Sequence, residues 1–161
     1  MILSKISADK KLRRMALEIA ERNAGNPEII LIGIKDNGLF IAKKIEDYLQ
    51  PVFAGKIRTI ALSINKKDPG EIKLEESIDL RGKMILLADD VANSGRTMLY
   101  ALRPLLDMYP ARVETLALVE RTHKMFPVAL NYVGLSVSTA ADENIEVMVT
   151  GGEIEGAEMS R

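Results

Sequence analysis

The chain of 161 residues has a formal net charge of −1, and 47% of its residues are hydrophobic. This length and composition are typical of one domain with a substantial core, so we expect a single domain over residues 1–161. The near-neutral charge disfavours non-specific nucleic-acid binding by the whole surface. The sequence contains no cysteine, which excludes disulfides, thiolate nucleophiles and zinc–thiolate sites.

The N-terminal sequence lacks the pattern of a signal peptide, and no apolar stretch is long enough to cross a bilayer. A chain without cysteine also fits a reducing compartment. We therefore expect a cytoplasmic protein with no membrane partner.

The first elements in chain order are a predicted helix and a predicted buried strand. Leu12, Met15 and Ile19 lie at helical spacing and predict a helix over residues 8–23, which the sequence "NAGNP" ends. The apolar run "EIILIGI", residues 28–34, is typical of a strand that is buried on both faces.

The middle of the chain continues this alternation of helices and strands. A helix is predicted over about residues 38–50, and extended structure over residues 52–64. The polar sequence "NKKDPGE", residues 65–71, predicts a loop. The strand "MILLA", residues 84–88, and a helix over about residues 97–108 follow.

Three further strands complete the pattern. They are "VETLALV" at residues 113–119, "YVGLSV" at residues 132–137 and "IEVMVT" at residues 145–150, which precedes an acidic tail. Strands that alternate with helices indicate an α/β fold with a mainly parallel central sheet flanked by helices.

Two polar segments directly follow predicted strands of this sheet. Asp89 and Asp90 come after the strand at residues 84–88, and "KDNG", residues 35–38, comes after the first strand. Ligands of parallel sheets bind at the carboxyl ends of the strands. We therefore expect the two segments to meet at one site.

The sequence "ANSGRT", residues 92–97, leads from a strand into a helix and has the features of a phosphate pocket. Backbone N–H groups at a helix N-terminus lack intrahelical partners and favour an anion. Ser94 and Thr97 add hydroxyl donors, and Gly95 permits close approach. The neighbouring carboxylates would repel phosphate, but they can accept hydrogen bonds from vicinal hydroxyls such as those of ribose. A sugar phosphate therefore suits both halves of the motif.

The motif also has simpler interpretations. An Asp-Asp pair at a strand end is often a solvated turn, and Ser-Gly-Arg-Thr is often a helix cap. Neither a Gly-Lys-Ser/Thr phosphate loop nor the G-x-G-x-x-G fingerprint of dinucleotide-binding proteins is present in the motif. A receiver-like α/β domain is disfavoured because its acidic residues lie near the chain start, whereas these lie mid-chain.

The segment "LLADDVANSGRT" resembles the signature of type I phosphoribosyltransferases, in which an apolar strand, two acidic residues and a small loop bind phosphoribosyl pyrophosphate. Within that family the chain is similar to the pyrimidine-operon regulators, which bind attenuator RNA and also have uracil phosphoribosyltransferase activity. The similar segments are "LRRMALEIAERNAG", "LIGIKDNGLFIAKKI" and "LALVERTHKMFPVALNYVGLSVSTAADENIEV".

The resemblance implies a type I phosphoribosyltransferase fold and a set of site residues. Phosphoribosyl pyrophosphate is called the donor below, because it would donate the phosphoribosyl group. Asp89 and Asp90 would contact its ribose hydroxyls and the Mg²⁺ that accompanies it. The 5-phosphate loop would consist of Asn93, Ser94, Gly95, Arg96 and Thr97. The pyrophosphate loop would consist of Lys35, Asp36, Asn37 and Gly38, and the family often has a cis peptide bond there. The base would lie near Val137, Ser138 and Thr139.

The resemblance also implies a function and partners. The expected activity is phosphoribosyl transfer to a pyrimidine base, with uracil as acceptor, in a homodimer or higher homo-oligomer that responds to pyrimidines. The alternative is an RNA-binding attenuation regulator that senses nucleotides with little or no catalysis. Arg13, Arg14 and Arg22 are the candidate RNA contacts.

The chain departs from this branch at several positions. Asn37 stands where the branch has an arginine, and the loop at residues 65–71 is short and offers Lys66 and Lys67 as catalytic cations instead of an arginine. Lysine lacks the bidentate fork of arginine. Three further departures are Asn93 in place of a common tyrosine, Ala140 and Ala141 in place of a serine and an arginine, and Leu17 in place of a histidine. We therefore expect good donor binding and slow turnover with uracil.

Overall fold

The computed structural model describes residues 1–161, which form two β-sheets and three helices. None of the helices combines the length and apolar character needed to cross a membrane. In chain order the elements are β1 (Leu3–Ser4), α1 (Lys5–Arg22), β2 (Glu28–Ile34), α2 (Asn37–Leu49), β3 (Lys56–Ile64), β4 (Ile72–Leu74), β5 (Met84–Ala92), α3 (Arg96–Leu106), β6 (Arg112–Arg121), β7 (Tyr132–Val137), β8 (Asn144–Thr150) and β9 (Glu153–Ser160).

The larger sheet has six strands in the order β4-β3-β2-β5-β6-β7. All neighbouring strands are parallel except β4, which pairs antiparallel with β3 at the edge. The α/β class and the mainly parallel sheet are therefore confirmed. Because parallel strands share a direction, the loops after β2, β3, β5 and β6 emerge at the same edge of the sheet.

The helices divide unequally between the two faces of this sheet. Helices α1 and α2 cover one face in a core of 24 buried residues, which also includes residues of β8 and β9. The other face has a smaller core of 11 buried residues, to which α3 contributes Met98, Ala101 and Leu105. The near-continuous apolar pattern of β2 is explained by this arrangement, because both faces of the strand are buried.

Two expectations about the end of the chain were wrong. The strand predicted at residues 145–150 does not join the parallel sheet; it is β8 of a separate antiparallel sheet with the order β1-β9-β8. The acidic tail is itself a strand, β9. Its Ile154 and Ala157 are buried while Glu153 and Glu158 face solvent, so the acidic residues occupy the outer positions of a half-buried strand.

The remaining predicted boundaries agree with the structure to within a few residues, except that the extended segment at residues 52–64 becomes a strand only from Lys56. Residues 65–71 form a loop, as predicted.

Candidate active site

The acidic pair lies inside β5 rather than after it. The strand was expected to end at Ala88, but its pairing with β6 continues to Ala92, opposite Glu120. The pairing of β5 with β2 on its other side ends at Ala88. Asp89 and Asp90 thus extend past β2 at the carboxyl edge of the sheet, where the site was predicted.

The two carboxylates are held close together with little access to water. Asp89 is 2% exposed and Asp90 is 8% exposed. The Asp90 N–H donates to Asp89 Oδ1 at 2.9 Å, and the Val91 N–H donates to Asp90 Oδ1 at 2.8 Å. Burial, and then the charge of Asp90, raises the pKa of Asp89 well above its usual range, while Lys66 opposes the rise. The pair therefore favours a cation or hydroxyl donors as its neighbour.

Residues 93–95 form a compact turn between β5 and α3, and residues 96 and 97 are the first two of the helix. Gly95 has a φ of +81°, and a Cβ at this position would lie 2.7 Å from Val128 Cγ1, so glycine is required on both counts. The Ser94 carbonyl accepts hydrogen bonds at 3.0 Å from the N–H groups of Met125 and Phe126, which fix the turn. Helix α3 begins at Arg96, and Arg96 and Thr97 line the cavity, so the N-terminus of the helix borders it.

The pyrophosphate loop follows β2 and opens α2. The peptide bond between Lys35 and Asp36 is cis, as the resemblance implied. A Cβ on Gly38 would lie 2.8 Å from the Ala88 carbonyl oxygen, so only glycine lets α2 begin this close to the acidic pair. The Lys35 ammonium lies 2.7 Å from Glu75 Oε1, and this hydrogen bond raises the pKa of Lys35.

The loop at residues 65–71 brings one of its two lysines to the acidic pair. Lys66 Nζ lies 3.6 Å from Asp89 Oδ1. The backbone N–H of Lys67 donates to Asn65 Oδ1, and the Lys67 side chain does not line the cavity beside the acidic pair.

A cavity of about 390 Å³ joins these segments. A second cavity of about 330 Å³ adjoins it and is lined by Lys35, Asp36 and Ile64; the two share Asn37, Lys66 and Asp90. The first is lined by the acidic pair and all five predicted residues of the 5-phosphate loop, namely Asn93, Ser94, Gly95, Arg96 and Thr97. The structure therefore brings together the residues that were predicted to bind phosphoribosyl pyrophosphate.

Another part of the cavity lining was not predicted from the sequence. It is formed by Ile145, Glu146 and Val147 of β8, and not by Val137, Ser138 and Thr139, which do not line the cavity. The contact between β8 and the 5-phosphate loop joins residues about fifty positions apart, and no local pattern marks it.

The candidate RNA-binding arginines are all engaged within the protein. The Arg13 guanidinium lies over the Tyr48 ring and pairs with Asp9, whose pKa is lowered chiefly by its hydrogen bond with Tyr48. Arg14 donates to the carbonyl oxygens of Val133 and Gly134, each at 3.0 Å.

Arg22 donates to the Asn131 carbonyl at 3.2 Å and lies over the Tyr132 ring. Each of the three arginines thus ties α1 to a neighbouring element. The histidine of the chain, His123, does not line the cavity beside the acidic pair.

A parallel sheet with an acidic pair and a helix N-terminus at its carboxyl edge is an arrangement that suits a sugar phosphate, and it places the protein among the α/β proteins with a ligand site at that edge. Comparison with known proteins makes this class specific. The phosphoribosyl transferase domain matches residues 2–149. The chain belongs to the phosphoribosyltransferase family, in the branch of the pyrimidine operon regulatory proteins.

Two relatives are similar along most of their length. A "Bifunctional protein PyrR" from Pediococcus pentosaceus is 34% identical over 160 residues, covering 92% of this chain and 90% of the relative. A "Pyrimidine operon regulatory protein" from Lactococcus lactis subsp. lactis is 34% identical over 154 residues, covering 92% and 89%.

Solved structures agree on the fold. A hypoxanthine-guanine phosphoribosyltransferase from Bacillus anthracis has a TM-score of 0.73 at 20% identity, covering 90% of this chain and 84% of the other. A hypoxanthine phosphoribosyltransferase from Trypanosoma cruzi has a TM-score of 0.76 at 15% identity, covering 87% and 82%.

Proposed function

We propose that this protein transfers the phosphoribosyl group of phosphoribosyl pyrophosphate to a pyrimidine base, with uracil as the acceptor. In this reaction the bond from the ribose anomeric carbon to pyrophosphate breaks and a bond to a ring nitrogen of the base forms. The proton of that nitrogen is released to pyrophosphate or solvent. The observation that carries the proposal is the cavity in which the acidic pair, the 5-phosphate loop and Lys66 meet.

Each group of the donor has matching residues. The N–H groups and hydroxyls of residues 94–97 suit the 5-phosphate. Asp89 and Asp90 accept hydrogen bonds from the ribose hydroxyls. Their negative charge stabilises the positive charge that develops on the ribose ring. Lys66 and Lys35 line the adjoining cavity and suit the departing pyrophosphate. No protein nucleophile is needed.

The acidic pair also fits Mg²⁺, which phosphoribosyltransferases of this type generally use with the donor. Carboxylate oxygens are preferred Mg²⁺ ligands, and the burial of Asp89 beside Asp90 favours a nearby cation. The chain has no cluster of three acidic, histidine or cysteine side chains that could hold a metal ion alone. Asp89 and Asp90 would hold the ion together with the bound substrate, and the chemistry it would supply is neutralisation of the charge on the leaving pyrophosphate.

Isotope transfer tests the proposed activity. Labelled phosphoribosyl pyrophosphate is incubated with Mg²⁺ and a panel of purine and pyrimidine bases, and nucleotide formation is followed. Uracil is expected to be the preferred acceptor; transfer to a purine alone contradicts the proposal. Calorimetry with Asp90→Asn tests the site, because the substitution removes a charge that faces the donor. Unchanged donor affinity in the presence of Mg²⁺ shows that the site is assigned wrongly.

A second proposed function is pyrimidine-responsive control of transcription through RNA. The names of the relatives support it. Arg13 and Arg14 remain the proposed contacts, since 61% and 46% of their side chains are exposed despite their intramolecular bonds. The test is binding of a pyrimidine-operon leader RNA with and without uridine 5′-monophosphate. Equal affinity for an unrelated RNA of the same length contradicts this function.

We also propose that the protein is a homodimer, by analogy with type I relatives. Sedimentation at micromolar concentration tests this, and a monomer refutes it.

A further inference from the structure

Strand β8 is an edge strand whose unpaired edge faces the 5-phosphate loop and the pyrophosphate loop. In the order β1-β9-β8, the strand pairs with β9 on one side only. The N–H and C=O groups on its other side therefore need partners from outside the sheet. For Ile145 and Val147, two asparagine side chains supply them: Asn93, in the turn after β5, and Asn37, the first residue of α2.

Asn93 makes a two-point contact with this edge. Its Nδ2 donates to the Ile145 carbonyl at 3.1 Å, and its Oδ1 accepts from the Ile145 N–H at 3.1 Å. The amide thus pairs with β8 as a neighbouring strand would. The side chain points at β8, so only the backbone of Asn93 is left for the 5-phosphate.

Asn37 makes a similar contact with Val147, two residues after Ile145 in β8. Its Nδ2 donates to the Val147 carbonyl at 3.2 Å and to Asp90 Oδ2 at 3.0 Å. Side chains from the pyrophosphate loop and the 5-phosphate loop therefore hold the same stretch of β8. The asparagine that replaces the arginine of the branch is one of these two contacts.

The acceptor base is the group of the reaction that remains to be placed. The proposed function assigns residues 94–97, the acidic pair and the lysines to the three parts of the donor. A further wall of the cavity is formed by β8. We propose, on the basis of the function proposed above, that Asn37 and Asn93 are positioning residues. They hold β8 against the pyrophosphate loop and the 5-phosphate loop, and through β8 they set the affinity for the acceptor base.

The asymmetry between the two asparagines makes Asn93 the sharper test. Asn37 also bonds Asp90, so its replacement affects the donor and acceptor sides together. Asn93→Ala removes only the pairing with Ile145. Asn93→Asp keeps the shape and still accepts the Ile145 N–H, but it sets a carboxylate against the Ile145 carbonyl. Loss of two neutral hydrogen bonds corresponds to about tenfold in affinity.

The first experiment compares two ligands by calorimetry. Ribose 5-phosphate reports the donor contacts alone, and uridine 5′-monophosphate adds the base. For Asn93→Ala and Asn93→Asp, the affinity for uridine 5′-monophosphate is expected to fall about tenfold, while the affinity for ribose 5-phosphate changes less than about twofold. In steady-state kinetics the KM for the base rises by a similar factor, with a smaller change in kcat. A parallel loss for both ligands, or no loss for either, overturns the proposal.

A matched control separates positioning from general destabilisation. Asn131 also bonds backbone with its side chain, accepting the Thr115 N–H at 3.0 Å, but it lies at the amino end of β7. Asn131→Ala is expected to leave the ratio of the two ligand affinities unchanged. A change in that ratio as large as that of Asn93→Ala attributes the effect to lost stability and contradicts the proposal.

The second experiment needs no ligand. Hydrogen exchange in the free protein measures how well the Ile145 N–H is protected, and Asn93→Ala is expected to speed its exchange about tenfold. Unchanged exchange shows that Asn93 does not hold β8. Failure of the wild type to transfer phosphoribosyl to any base refutes the proposed function instead, whereas these exchange and ligand-ratio measurements still decide the inference.

Discussion

Gly38→Ala tests whether close approach of α2 to the acidic pair matters for turnover. A Cβ at residue 38 would lie 2.8 Å from the Ala88 carbonyl oxygen and 3.0 Å from both Asp89 Cα and Asp89 Oδ1. Comfortable contact needs about 3.5 Å, so the start of α2 must retreat by roughly 0.7 Å from β5. A misplacement of about 1 Å costs roughly 100-fold in rate, so we expect kcat to fall by about 10- to 100-fold.

The assay is labelled transfer to uracil, with urea unfolding in parallel. Overpacking at a buried position costs about 1–3 kcal/mol, which leaves the protein folded. Gly55→Ala is the matched control. Its Cβ would lie 2.7 Å from the Asn26 carbonyl oxygen, a similar clash at the opposite end of the sheet. We expect the control to lose stability and keep its kcat. Turnover of Gly38→Ala within twofold of the wild type, or equal losses in both variants, refutes the reasoning.

The other predictions concern cations and a buried phenol. Lys66→Ala should lower kcat more than Lys67→Ala, because only Lys66 reaches Asp89; equal effects in steady-state kinetics contradict this. Turnover with uracil should be roughly 100- to 1000-fold slower than in an arginine-containing relative assayed alongside; a comparable kcat shows that the lysines suffice. The buried Tyr132 hydroxyl donates to Glu114, and burial raises the pKa of Tyr132 to about 12. Its neutral form stabilises the fold below pH 10, and this contribution, at most about 2.7 kcal/mol, is lost as pH rises toward 12. Urea unfolding between pH 9 and 11 should show the wild type losing its advantage over Tyr132→Phe; a constant difference contradicts the assignment.

Local patterns predicted which segments come together around the acidic pair. The apolar run before Asp89 and the glycine-containing turn at Gly95 are contiguous, so their geometry follows from a strand that leads into a helix. Parallel order then placed the loop after β2 beside them. The family resemblance added the roles of these residues and the cis bond after Lys35.

Contacts between distant segments were not predictable in the same way. The pairing of Asn93 with Ile145 depends on an edge strand that belongs to the other sheet. The Ile145 groups involved are backbone groups, which every residue has, so the residue type does not indicate the contact. Nothing in the sequence indicated that Arg14 donates to carbonyl oxygens of β7, or that Arg22 donates to the Asn131 carbonyl just before that strand. The buried Ile154 and Ala157 of β9 are three residues apart, because the pairing of β8 with β9 shifts register between Met148 and Val149. The regular alternation that marks a strand is therefore absent from this segment.

The unequal cores described above have a consequence for local opening. Helix α3 is the one helix on the thinner layer, which has 11 buried residues against 24 on the other face. A layer with less buried apolar surface opens at a lower free-energy cost than the rest of the molecule. The turn that suits the 5-phosphate lies at the N-terminus of this helix. A bound anion therefore stabilises this layer against local opening. Occupancy of the site is thereby coupled to resistance against proteolysis and sub-global unfolding of that face.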